Sequence, residues 1–192
     1  MAVEKTKPVV LPALTWVPSP NFYPGAEDRG VARIVLHRWA SPLGTNAETK
    51  VHYEGVINLF KTTSSQVSSH VVFPGSADPG KATQMVAWKD SAWTEMEYNT
   101  TSISIESADN IWFGKDDVGM QVLARCVGFL LKKHNLPAIY SIEKGFCRHA
   151  DLGQAGGGHT QCPTTDMAVW DNFVKRVQAE FARGGYRKTW GR

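Results

Sequence analysis

Short apolar runs of strand type alternate along this chain with stretches of helical period, and that alternation most restricts its fold. Arg33-Ile34-Val35-Leu36-His37 has the character of a buried strand. From Thr45 the pattern changes. Thr45 and Glu48 have capping-box spacing, and Tyr53, Val56, Ile57 and Phe60 follow the i, i+3, i+4, i+7 rule of a helix face. Val67 to Phe73 alternates, with Val67, Ser69, Val71 and Phe73 on one side of a strand, and Thr83 to Trp88 is a further short strand. Ser102 to Glu106 alternates strictly, sending Ile103 and Ile105 one way and Glu106 with the serines the other. Asp117 is placed to cap a long helix with Leu123, Cys126, Val127, Leu130 and Leu131 on its apolar stripe. Ala138 to Ile142 reads as another strand. Thr164 is placed to cap a last helix that buries Trp170, Phe173, Val174, Val177 and Phe181. Strands mixed with helices in this order imply an α/β domain, a single mixed central β-sheet flanked by about three helices. The pattern alone does not fix strand directions.

The 192 residues suit one compact domain. Residues 1–24 hold Pro8, Pro12, Pro18, Pro20 and Pro24 without a regular period, and read as an extended arm lying on a domain of residues 25–185. Residues 186–192, with Arg187 and Lys188, form a short basic tail. A net charge of +3 suits an anionic partner. No run of five Lys and Arg and no nucleic-acid-binding motif is present, so nucleic acid is excluded as a partner. No segment approaches the roughly 18 apolar residues of a membrane span. The first residues lack the apolar region of a secretory signal, so synthesis in the cytoplasm is expected. Cys126, Cys147 and Cys162 cannot all pair within one chain, so at least one is a thiol or a ligand.

Three metal-binding side chains sit at element edges. His37 ends the first buried strand, His149 follows the last one, and Cys162 lies beyond the glycine-rich turn Gly156-Gly157-Gly158. Two imidazoles and a thiolate are a set that zinc accepts while keeping a fourth position open. Each also has a plainer reading, as a hydrogen-bonded histidine or a small buried thiol. Their wide spacing does not by itself assemble them.

Four segments, in order, resemble those of the type 2 N-acetylmuramoyl-L-alanine amidases, a family that includes the peptidoglycan recognition proteins. They are Ile34-Val35-Leu36-His37-Arg38-Trp39, Val67-Ser68-Ser69-His70-Val71-Val72, Asn99 to Glu106, and Arg148-His149-Ala150-Asp151 followed by His159-Thr160-Gln161-Cys162-Pro163. Ser19 to Gly25 is similar to what precedes the first strand in phage lysins. The resemblance implies one zinc ion held by His37, His149 and Cys162, with Glu106 as the proton-transferring carboxylate and Thr160 near the oxyanion. Ser69 stands where other members carry a tyrosine, so the chain follows the family's glutamate version. Lys89, after Ala87-Trp88, stands where many relatives have a histidine.

The implied activity is hydrolysis of the amide between N-acetylmuramic acid and L-alanine in peptidoglycan. A monomeric phage endolysin is expected, held in the host cytoplasm until release to the wall. Two alternatives are a cytosolic amidase that recycles soluble muropeptides and a non-catalytic peptidoglycan-binding module. His70 is expected to pack or support rather than ligate, and His159 to contact substrate or solvent. Asp151 is expected to fix its loop or a ligand imidazole. Cys126 and Cys147 are expected to be structural. Trp93 or Trp112 is a candidate for a glycan groove.

Overall fold

The computed structural model describes residues 10–26, 29–39, 44–186 and 190–192. Residues 1–9 of the expected arm and Arg187 and Lys188 of the expected tail lie outside the described residues. The elements run β1 (Ala13–Trp16), β2 (Phe22–Tyr23), β3 (Arg33–Arg38), α1 (Asn46–Phe60), β4 (Val71–Phe73), β5 (Lys81–Gln84), β6 (Ser91–Ala92), β7 (Ser102–Ser107), the one-turn α2 (Asp109–Trp112), α3 (Asp117–Lys133), β8 (Gly145–Arg148) and α4 (Met167–Arg183). Six strands make one mixed sheet in the order β1-β5-β4-β7-β3-β8. β4, β7, β3 and β8 are mutually parallel, while β5 runs against β4 and carries β1 parallel to itself. β2 and β6 pair separately as an antiparallel ribbon. The expected arm therefore supplies an edge strand.

Alternation divides the sheet into two unlike faces. Ile34, Leu36, Val71, Phe73, Ile103, Ile105 and Phe146 join the buried residues of α3 and α4 in the main core. On the other face α1 covers only part of the sheet, packing Tyr53, Val56, Ile57 and Phe60 around Val72 and Met85. Val35 and Cys147 form a second small apolar patch with Leu152. His37 and Glu106 share this divided face with Val35 and Val72, by alternation and register.

The capping box at Thr45 and Glu48 starts α1 as expected. Two other caps shift. Asp116, not Asp117, caps α3 by accepting the Gly119 N–H, which leaves Asp117 to pair with Arg176. Asp166, not Thr164, caps α4, and Thr164 Oγ1 accepts the Asp166 N–H one step earlier.

Three strand expectations need correction. Between Val67 and Phe73 only Val71–Phe73 is a strand. Val67 is exposed, and the Ser68 and His70 side chains bind Asn21 and Ser104 instead of continuing a regular face. The strand expected over Thr83 to Trp88 is Lys81–Gln84, because the Trp88 N–H turns to the Arg192 carbonyl. Ala138 to Ile142 contributes only a bridge from Tyr140 to Phe146. Ile139, Tyr140 and Ile142 are exposed there, and Gly145–Arg148, with Phe146 and Cys147 wholly buried on opposite faces, takes the edge beside β3.

Phe173 of α4 is fully buried with its ring 5.0 Å from Trp112 and 5.5 Å from Trp170. Phe173→Ala is expected to lower unfolding free energy by about 3–5 kcal/mol. Urea denaturation checks this, and a loss below about 1 kcal/mol would show that α4 does not close the core.

Candidate metal centre

The parallel register builds the centre. β3 and β7 pair His37 with Glu106, so both side chains emerge on one face near the carboxyl ends of neighbouring strands. β3 and β8 pair Leu36 with Arg148, so His149, the next residue, comes out beside His37. The two imidazole centroids are 4.3 Å apart.

Cys162 arrives by a loop that doubles back. Gly157 and Gly158 take φ of 102° and 75°, a region that a side chain strongly disfavours. The Ala150 N–H then donates to the Cys162 carbonyl at 2.7 Å, pinning the end of the loop to its start. Asp151 secures that start, accepting from the Arg148 N–H at 2.9 Å, the Arg148 guanidinium at 2.6 Å and the Tyr140 hydroxyl at 2.9 Å. Among the described residues its hydrogen bonds go to Arg148 and Tyr140 and not to an imidazole of the centre.

One ligand atom from each of His37, His149 and Cys162 lies within 4.8 Å of the others. Nε2 of His37 is 3.0 Å from Glu95 Oε1, and Nε2 of His149 is 2.7 Å from the Gly156 carbonyl. With both Nε2 atoms engaged by oxygens, Nδ1 of each ring is the nitrogen left for a ligand role. Burial drives the His37 pKa down to about 3, with His159 adding to it, and the His149 pKa down to about 4, with His37 adding to it. Both rings are thus neutral near pH 7, the form that binds metals. Burial raises the Cys162 thiol to about 12, and Glu106 pushes the same way.

Two carboxylates border this set. Glu106 is pushed up to about 8 by burial, then by Asp109 and Glu95, with Arg38 opposing. Glu95 is also raised to about 8 by burial, against His149, Arg29 and Arg33. Glu95 Oε2 and Glu106 Oε1 are buried without a hydrogen-bond partner among the described residues. Buried acceptors left unpaired are costly, and a cation among them offsets that cost. The donors and their surroundings therefore fit a zinc ion.

His37, His149, Cys162 and Glu106 line one cleft, walled by Phe60, Val67 and Trp93. Thr160 is exposed and lies just outside, where Arg38, His159 and Cys162 line an adjoining hollow. A third hollow holds Tyr23, Trp93, Met96 and His159, so the exposed His159 ring, stacked 4.5 Å from His149, borders all three.

A model of the N-acetylmuramoyl-L-alanine amidase family matches residues 27–165, most of the chain and every residue of the cleft. The chain belongs to that family. Among curated proteins none matches it significantly in sequence. Solved structures share its fold. The Staphylococcus aureus hydrolase AmiA, solved with its ligand, superposes with a TM-score of 0.61 at 14% identity, over 94% of this chain and 90% of that one. The N-acetylmuramoyl-L-alanine amidase LysC of Clostridium intestinale gives 0.56 at 15% identity, over 86% and 97%. The Ph2119 endolysin of a Thermus scotoductus bacteriophage gives 0.51 at 16% identity, over 81% and 89%.

Against the expectations for an amidase of this family, the structure sorts the remaining residues. His70 is buried outside the cleft, bonded to Ser104, the Asp90 carbonyl and Arg29. Cys126 lies in the main core and Cys147 under Val35 and Leu152. Trp93 lines the cleft, whereas Trp112 is core, its indole N–H donating to Ser107 at 2.8 Å. Trp88 of the Ala87-Trp88-Lys89 segment stacks on Trp190 away from the cleft, and Ala92-Trp93-Thr94 is the Ala-Trp segment that reaches it. Neither Glu95 nor Arg38 carries a functional signal of its own in the sequence pattern. Arg38 directly follows His37, and that adjacency is the signal that marks it; Glu95 lies in Trp93-Thr94-Glu95-Met96, where no period or motif does.

Proposed function

We propose that the chain is a zinc-dependent N-acetylmuramoyl-L-alanine amidase that cuts the bond between muramic acid and L-alanine in peptidoglycan. One observation carries this reading: two neutral imidazoles and a thiol converge beside a buried carboxylate at an accessible cleft. His37, His149 and Cys162 hold the ion, and residues 25–185 make up the catalytic unit. When bound, zinc supplies Lewis acidity that polarises the scissile carbonyl and lets water attack near neutral pH.

Glu106 moves the proton. Its Oε1, without a partner among the described residues, takes the proton released by the attacking water and passes it to the departing amine of L-alanine. Burial raises its carboxyl above the ordinary value, which makes the ionised form a stronger base for the first transfer. Thr160, at the outer wall, donates its hydroxyl to the carbonyl oxygen as negative charge grows there. Trp93, Phe60 and Val67 give the cleft an apolar flank for the sugar and lactyl carbons. The bacteriophage endolysin among similar folds and the net charge of +3, which suits an anionic wall, favour a lytic role.

The parent protein is expected to carry one zinc per chain by metal analysis and to release fragments from purified sacculi. Cys162→Ala is expected to lose both zinc and hydrolysis. Glu106→Gln is expected to keep zinc and lose hydrolysis by about a hundredfold or more. Full zinc content in Cys162→Ala, or near-parent activity in Glu106→Gln, overturns the assignment of that residue.

A further inference from the structure

Glu95 is a wholly buried carboxylate in the connection between β6 and β7, directly before a short 3-10 helix over Met96–Thr101. It does not line the cleft. Among the described residues its side chain has one hydrogen-bond partner, Nε2 of His37 at 3.0 Å, and Oε2 has none. A group so buried and so sparsely bonded is a liability unless positive charge lies close by, and the guanidinium groups of Arg29 and Arg33 act on it in favour of the ionised form.

The backbone goes to some length to hold it there. Asn99 Oδ1 accepts from the N–H groups of both Thr94 and Glu95, at 2.9 and 2.6 Å. Met96, directly after, sits at φ 52°, a left-handed conformation unusual for a residue with a side chain, while its own side chain is exposed. The turn thus carries backbone strain and points the carboxylate inward at His37.

We infer that Glu95 is the positioning residue of the metal centre: its carboxylate accepts the His37 Nε2–H, fixes the tautomer and aims Nδ1 at the ion. The inference rests on the zinc reading above. It assigns the two histidines unequal support. His149 is oriented by a neutral acceptor, the Gly156 carbonyl, whereas His37 is backed by a carboxylate that also makes its ring a stronger donor. Glu106 and Glu95 then divide the work between them: Glu106 faces the cleft and transfers protons, and Glu95 sits behind a ligand and sets metal affinity.

The test uses the full chain and zinc itself, with affinity read by competition against a chelator of known strength. Glu95→Gln and Glu95→Ala are expected to bind zinc about 10–100-fold more weakly than the parent, with Glu95→Asp intermediate. When saturated with zinc, Glu95→Gln is expected to keep far more of its kcat than Glu106→Gln does. Thermal unfolding of each zinc-free variant confirms that it is folded. Parent-like zinc affinity in both Glu95→Gln and Glu95→Ala overturns the inference. Parent-like affinity in Cys162→Ala overturns instead the zinc site on which it stands. Ring 15N shifts of His37 in the zinc-loaded parent need no variant: Nε2 is expected to carry the proton, and a proton on Nδ1 contradicts the proposal.

Discussion

The parallel pairing of β3 with β7 on one side and β8 on the other is the constraint on which the centre depends. Parallel strands finish at the same edge of a sheet, so residues far apart in sequence are delivered together without any local motif. Ile34 and Leu36, Ile103 and Ile105, and Phe146 hold this register by sharing the core with α3 and α4. A slip of one residue would turn His37 into that core and Leu36 out of it. The packing that stabilises the domain therefore also aims the side chains of the candidate centre.

The opposite face is built differently. α1 seals only the β4 and β5 side, and Leu152 covers a small patch over β3 and β8. Between these lies a strip of buried polar and acidic groups whose pKa values are displaced chiefly by loss of water. Such groups are expensive in an apolar interior and cheap around a cation. Two carboxylates and a thiol facing two neutral imidazoles form an environment matched to one divalent ion.

Much of this was legible in the residues, for reasons that differ by element. Thr45 and Glu48 marked the start of α1 because a capping box is a local arrangement of hydrogen bonds. Ser102 to Glu106 announced both its strand and the side on which Glu106 would emerge, because alternation is geometric. The strand at Gly145–Arg148 was hidden because it is short, begins with glycine and follows a more apolar stretch that the fold leaves outside. The convergence of His37, His149 and Cys162 depends on strand direction, which no periodicity encodes, so only the family resemblance joined them in advance. Glu95 stayed invisible because its meaning lies wholly in a contact across 58 residues.

If the proposed centre forms, two imidazole nitrogens and one sulfur share an ion. X-ray absorption at the zinc edge of the purified, loaded protein reads those donors without a variant. One sulfur at about 2.3 Å is expected, with nitrogen or oxygen donors at about 2.0–2.1 Å and an imidazole signature. A shell of oxygen and nitrogen alone, with no sulfur, would contradict it.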